Sequence, residues 1–380
     1  MTNIIKPYIP ILRWRPAEMA ALERLFPNDR ANVTPLIEFI MPAPSIDKKS
    51  RKVIKTPKEK FLETLPNVAK GLLKSCGQSP TFIDVHLLDA DIRASSLNKI
   101  LSSLSELNLF SIPVIYVIPV TSTSADTETR LIAVNYARSS RHGLCIRIDK
   151  SHLSEENLSS HIIAFVETNK LDIENTDLLI DLRAIQNTNI QDIAKRLEQL
   201  PNLQKWRSFI ISGGVFPKDL TEFISGKVHE LDRLDWKLWN SIRDAGLSRT
   251  PLFSDYTIQC PDHERIDIIG GSVSVRYTDD TKWWIFRGKK PNLVNSKTKE
   301  KGPGFEQYID HAKTLTGKSF SKFYKGTSYS FGDAEITRIA APDNKKPGNR
   351  TTWLTIGINH HITLVARQIS SLHGNFEAHS

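Results

Sequence analysis

Eight short apolar runs, each followed by a helix-like or polar connecting stretch, constrain the fold of this chain more than any other feature. They lie at residues 8–12 (YIPIL), 33–40 (VTPLIEFI), 81–88 (TFIDVHLL), 111–120 (SIPVIYVIPV), 142–149 (HGLCIRID), 177–185 (DLLIDLRAI), 207–214 (RSFIISGG) and 251–258 (PLFSDYTI). The intervening periodicity predicts helices over 16–25, 58–74, 97–107, 126–139, 155–168 and 190–200, and a Trp-rich amphipathic helix over 233–242. Pro16 suits a first helical turn. Near-continuous apolar strands alternating with helices indicate a parallel sheet buried on both faces. Eight such units predict an α/β fold of the (β/α)8 TIM-barrel-like type. A doubly wound open sheet is the alternative, but no Gly-x-Gly-x-x-Gly follows the first run.

The pattern changes after Cys260. Residues 272–278 and 283–287 predict a hairpin across Asp279-Asp280, followed by a basic, Gly/Pro-marked loop over 292–304. A helix is expected over 305–315, a polar loop over 343–350, and a closing helix over 352–372 that carries Asn359-His360-His361. The reading therefore divides the chain into a barrel, residues 1–260, and a C-terminal α+β elaboration of hairpin and helices, residues 261–380, packed upon it.

Strand alternation nominates the chemistry, because residues two apart face the same way. Arg13 and Arg15 share a face with Ile9 and Ile11, Glu38 with Leu36, and Asp84 and His86 with Phe82. Arg147 and Asp149 stand with Cys145, Asp181 and Arg183 with Leu179, Ser212 with Ile210, and Asp255 with Phe253. These polar groups lie towards the C-terminal halves of the strands, where barrel enzymes place working residues. So many charges must either pair internally or line a wet cavity. Parity alone leaves open which face points inward.

One reading is a structural network in which Glu38, Asp84 and Asp181 neutralise Arg13, Arg147 and Arg183. The other is a mouth that binds an anion, with the arginines, His86, Asp255, Tyr256 and the Ser212-Gly213-Gly214 turn as its lining. The glycine pair serves equally as a tight turn without a ligand. Glu38, Asp84, Asp181 and His86 are acceptable metal-ligand types, but no His-x-His or His-Glu-x-x-His spacing occurs, and no metal or cofactor is assigned. His360 and His361 diverge by about 100° on a helix and do not readily share a metal. Either is a packed histidine or a proton-transfer group reaching the mouth, and His360 is the catalytic candidate. Trp236 with Trp239 and Trp283 with Trp284 read as core or interface. No P-loop, nucleophile elbow or catalytic-cysteine signature is present.

Composition narrows the partners. The chain has a formal net charge of +9, part of it local to Lys48-Lys49-Ser50-Arg51-Lys52 with Lys55, Lys58 and Lys60, and part to residues 287–301. Such runs are solvated loops or contacts to nucleic-acid backbones. Cys76, Cys145 and Cys260 are few and widely spaced, so buried thiols in a reducing compartment are expected. With no signal-peptide core and no run long enough to span a bilayer, the expected location is cytoplasmic.

The stretches YIPILRWR (8–15), Ser212-Gly213-Gly214, DWKLW (235–239), Ser254-Asp255-Tyr256 and GINHH (357–361) occur in an order that resembles the phage "beta protein" family, found also in bacterial mobile and defence-associated loci. The resemblance runs over essentially the whole chain. It implies a role in phage–host conflict and carries no catalytic assignment with it.

Three functions are therefore expected to compete. One is a barrel that binds an anionic ligand, a phosphorylated small molecule or a nucleic-acid end, and acts as a phosphodiester hydrolase with Glu38, Asp84 or Asp181 as acid, base or metal ligand. Another is a non-enzymatic sensor or adaptor that works through a protein partner. The third is nucleic-acid binding by the basic loops alone.

Overall fold

The computed structural model describes residues 5–47, 49–50, 52–110, 116–186, 188–263, 271–292, 294 and 301–377. Its centre is a closed barrel of eight parallel strands. In chain order these are Tyr8–Arg13, Leu36–Glu38, Thr81–Asp84, Val117–Thr121, Leu144–Asp149, Thr176–Ala184, Ser208–Gly214 and Leu252–Asp255, called below the first to eighth barrel strands. Each pairs with its sequence neighbours, and the eighth closes on the first through Tyr8 opposite Phe253 and Pro10 opposite Asp255. This is the (β/α)8 TIM-barrel-like architecture. The fourth run begins later than expected, at Val117, and residues 111–115 of that prediction lie outside the described residues.

Alternation along the strands builds two apolar layers. Ile9, Ile11, Leu36, Phe82, Cys145, Leu179 and Ile210 fill the barrel lumen. Leu12, Ile37, Ile83, Ile146, Ile180 and Ile211 point outward into the larger cluster under the helices. The inward face is thus settled, and with it the positions of the polar strand ends.

The third strand stops at Asp84, short of His86, and its helix Ala90–Phe110 starts seven residues before the expected 97. The helix Pro57–Cys76 opens with a reciprocal capping box between Thr56 and Glu59. Between the second strand and that helix stands a two-stranded hairpin, Ser45–Ile46 with Val53–Lys55.

The C-terminal elaboration does not begin cleanly at residue 261. Its hairpin, Ser274–Thr278 with Lys282–Arg287, is joined by a third strand, Lys227–Asp232, from between the seventh and eighth barrel strands. Helices Gln307–Thr316, Phe331–Ala340 and Arg350–Glu377 pack on this sheet around Tyr277, Phe286, Tyr308, Ile336 and Trp353. Among the described residues no helix is long and apolar enough to cross a membrane.

The last helix binds the elaboration to the barrel. Asn359 donates to Ala21 O at 3.0 Å and accepts from Gly332 N at 3.0 Å, while Arg367 pairs with Asp29 at 2.8 Å. A Cβ at Gly332 would sit 2.4 Å from Ile356 O and 3.3 Å from His360 N. Those obstacles are backbone atoms of the neighbouring helix. Gly332→Ala is accordingly expected to destabilise the protein by about 1–3 kcal/mol through overpacking, read as a lower urea midpoint. An unchanged midpoint would show that the two helices separate freely.

Candidate functional site

On six strands the inward-facing residue near the C-terminal end is polar, and Arg13, Glu38, Asp84, Arg147, Asp181 and Ser212 together form a layer above the apolar lumen. Arg147 on the fifth strand is its hub. One guanidinium nitrogen donates to Asp84 at 2.6 Å, and the other reaches Asp181 at 2.6 Å, Glu38 at 2.9 Å and Tyr256 Oη at 2.8 Å. Tyr256 Oη in turn donates to Asp181 at 2.7 Å. Glu38, Asp84 and Asp181 come from the second, third and sixth strands, so the hub ties together four staves of the barrel.

Arg13, on the first strand, lies 3.9 Å from Glu38 and donates to Cys260 O at 2.7 Å and Pro261 O at 3.3 Å. The segment after the eighth strand therefore folds over this side of the mouth. Gly213 and Gly214 lie beneath it. A Cβ on Gly213 would meet Ile185 at 2.7 Å, and one on Gly214 would meet Pro261 and Tyr256 at 3.3 Å. The glycines permit close packing here, with no open cradle above them, and the chain beyond them runs to the peripheral strand Lys227–Asp232 before any helix. Ser212 Oγ is buried and has no hydrogen-bond partner among the described residues.

Two members of the network remain reachable. The Arg183 side chain is 23% exposed and that of His86 34%, against 8% or less for Arg13, Glu38, Asp84, Arg147 and Asp181. His86 Nδ1 lies 2.9 Å from Asp84 Oδ1, and His86 Nε2 lies 2.9 Å from Arg183 Nη2. Because a guanidinium only donates, Nε2 accepts and the ring proton sits on Nδ1, held by Asp84. Arg183 also contacts Asp181 through Nε at 2.9 Å. It has φ of 52°, an uncommon conformation for a non-glycine residue, and its own N–H donates to Asp181 Oδ1 at 3.0 Å.

Beside this pair opens a cavity of about 200 Å³, lined by His86, Arg183 and Arg147 together with Arg93, Asp149, Thr121, Ser122 and Ser124. Of these last five, Asp149 was nominated by strand alternation beside Arg147, whereas Arg93, Thr121, Ser122 and Ser124 were not. The hydroxyl-rich run Thr121-Ser122-Thr123-Ser124, following directly on an apolar strand, signals three of them in the sequence, and nothing there signals Arg93. Arg93 braces the rim by donating to His86 O at 3.0 Å and Leu88 O at 2.9 Å.

The electrostatics follow from the pairing. Burial alone would raise the Asp84 carboxyl, but the His86 ring and Arg147 outweigh it and hold Asp84 well below the ordinary carboxylate range. Asp181 behaves likewise: burial opposes ionisation, and Arg147, Arg183 and the Tyr256 hydroxyl overcome it. The three carboxylates face three guanidinium groups. Among the described residues no group of three or more His, Cys, Asp or Glu side chains is placed to hold a metal ion; the Asp84 and Asp181 oxygens and Glu38 Oε1 are turned to protein donors, whereas Glu38 Oε2 is buried with no hydrogen-bond partner among the described residues.

Other nominated residues lie elsewhere. Arg15 is half-buried at the start of helix Pro16–Glu23, one turn from the buried Glu18, and is not in the network. Asp255 points outward from the eighth strand with Phe253, accepting from Tyr8 Oη at 2.8 Å and facing His361 Nε2 at 2.7 Å. It is Ser254 and Tyr256 that face inward there. His360 does not reach the mouth. Its Nδ1 faces Asp333 at 2.8 Å, its Nε2 faces Thr278 O at 2.7 Å, and its ring stacks on Tyr277. The two adjacent histidines thus serve two separate carboxylates, and both lock the closing helix to the body.

Fold and site together define a (β/α)8 barrel whose C-terminal mouth is, among the described residues, an ion-paired layer open at the His86–Arg183 edge. The family described as Beta protein matches residues 8–367, and the chain belongs to that family. No matching relative is found among curated proteins.

Proposed function

We propose that the protein binds an anionic, phosphorylated ligand in the cavity at the barrel mouth, and that it does so in the cytoplasm in the course of phage–host conflict. The observation that carries the binding site is the Arg183–His86 contact at the cavity's edge, the most exposed part of the buried charge network among the described residues. Arg183 and Arg93 offer guanidinium donors suited to phosphoryl oxygens. The three free cysteines fit a reducing compartment, and the setting follows from the family resemblance.

Phosphodiester hydrolysis is the reaction that the Asp84–His86 pair suits. An arriving phosphoryl group draws Arg183 away from His86 Nε2. The freed nitrogen takes a proton from water as the new bond to phosphorus forms and the bond to the leaving oxygen breaks. Asp84 holds the resulting imidazolium, and the leaving oxygen takes its proton from solvent. A non-catalytic sensor or adaptor is the second reading, favoured by the completeness with which Arg147 is paired to Glu38, Asp84 and Asp181.

Thermal unfolding in the presence of nucleoside monophosphates, diphosphates and short oligonucleotides tests the reading. A ligand at a hundred times its Kd is expected to add about 2.7 kcal/mol of apparent stability to the wild type and far less to Arg183→Ala. If wild type and variant respond identically to every compound, the mouth is a structural ion network and the adaptor reading stands.

A further inference from the structure

The hairpin Ser45–Ile46/Val53–Lys55 has no evident role in holding the barrel together. Val53, Ile54 and Lys55 are all exposed, although neighbouring residues on a strand point to opposite faces. Neither face of that strand packs on the body, so the hairpin projects from it. Ile46, Val53 and Ile54 are 40%, 58% and 62% exposed, a concentration of bare apolar side chains on one small element. The turn itself is ordered by Asp47, whose carboxylate accepts from Lys49 N at 3.0 Å and Ser50 N at 2.6 Å, and whose N–H donates to Lys52 O at 2.9 Å. At its base Lys60 bonds Ala43 O at 2.5 Å and Lys55 bonds Glu63 at 2.7 Å.

The charge is one-sided. Residues 42–60 carry seven lysines and arginines against two carboxylates. Lys55 and Lys58 are paired, to Glu63 and Asp91, whereas among the described residues Lys49 and Lys52 have exposed side chains with no acidic partner. The hairpin joins the second barrel strand to its following helix, so it rises from the same C-terminal face as the cavity.

We propose that this hairpin is a nucleic-acid-binding arm that enters the groove of a duplex and brings a strand's phosphates to the barrel mouth. The inference deepens the function proposed above and rests on that reading for the site the duplex would serve. A two-stranded ribbon is the width that a B-form major groove admits. Its lysines meet the phosphate backbone, and Ile54, on the face opposite Lys55, meets base edges such as the thymine methyl. An anionic membrane is the competing surface for a basic, apolar arm, but the segment lacks the Trp, Tyr or Phe that anchor proteins at that interface.

Fluorescence anisotropy with a labelled 20-base-pair DNA duplex, over a range of salt, tests the arm in the full-length chain. Wild-type binding is expected to weaken steeply with salt. The double variant Lys49→Glu/Lys52→Glu is expected to lose at least tenfold in affinity and to flatten the log–log salt slope by about 2. Lys205→Glu, a charge reversal at an exposed lysine just before the seventh strand and so on the opposite face of the barrel, is expected to bind the duplex within about twofold of wild type. Wild type without duplex affinity, or a double variant that binds as wild type does, overturns the proposal, as does hairpin-dependent binding to phosphatidylserine vesicles with none to DNA. Hairpin-dependent DNA binding without any response of the cavity to phosphorylated ligands would instead overturn the mouth as its destination and leave the arm standing.

Discussion

Replacing Arg147 with methionine is expected to cost about 3–5 kcal/mol of folding stability, since removal of one partner leaves buried charges uncompensated. The loss falls unevenly. Asp84 keeps His86 and Asp181 keeps Tyr256 and Arg183, but Glu38 is left with nothing nearer than the 3.7 Å contact to His86. Urea unfolding would measure the effect, and Glu38→Gln placed on top of the methionine variant is expected to recover part of it. The pH dependence gives a second, sharper readout. In the wild type Asp84 and Asp181 are depressed below their ordinary range. Their contribution is therefore present above about pH 4 and is lost as pH falls through the folded-state values. Without Arg147 part of that depression is lost, and the two carboxyls titrate closer to their unfolded values. The stability gap between wild type and variant should thus narrow as pH falls below about 4, where the wild type gives up a contribution that the variant no longer has. A constant gap through that window would mean that Arg147 does not set the titration of these carboxylates.

Phosphodiester turnover, assayed with bis(p-nitrophenyl) phosphate, is expected to fall by about 10²–10⁴ in His86→Asn. Asparagine keeps a group able to hydrogen-bond Asp84 but removes the proton acceptor at Nε2. Arg183→Ala is expected to act mainly on KM, since it removes the charge that meets the phosphoryl group. The pair of variants separates binding from proton transfer, which a general loss of structure would not do. Wild-type rates in His86→Asn would sink the catalytic assignment, and rates that also survived replacement of both Asp84 and Asp181 would remove the polar layer from the reaction altogether.

The sequence made the barrel readable because its strands are buried on both faces and so appear as nearly unbroken apolar runs. Once the lumen side was known, one rule placed Arg13, Glu38, Asp84, Arg147, Asp181 and Ser212 on the same layer. What escaped did so for physical reasons. Lys227–Asp232 (KVHELD) is a largely exposed edge strand with little apolar signature, and Phe331–Ala340 is short, announced mainly by Ser330 capping Asp333 N at 3.0 Å. Arg93, Ser122 and Ser124 reach the cavity from a helix and a loop, where strand parity has no reach. Asp255 had the correct parity but the opposite meaning, because alternation says which residues agree in direction and never which direction that is.

The order of the chain gives the closing helix a further significance. Asn359 and Arg367 bind Ala21 and Asp29, partners 338 residues earlier, and His361 seals Asp255 against Tyr8 at the seam where the eighth strand meets the first. A chain emerging from the ribosome makes its first strand tens of seconds before the helix that covers it. Arg13 lacks its carbonyl partners until Cys260 and Pro261 are made, and the outer side of the seam lies bare for longer, until the closing helix follows. The polar mouth needs the chain as far as Pro261 and the wall behind it needs the helix Arg350–Glu377, so a nascent chain short of either carries the hairpin at residues 45–55 without the finished mouth beside it.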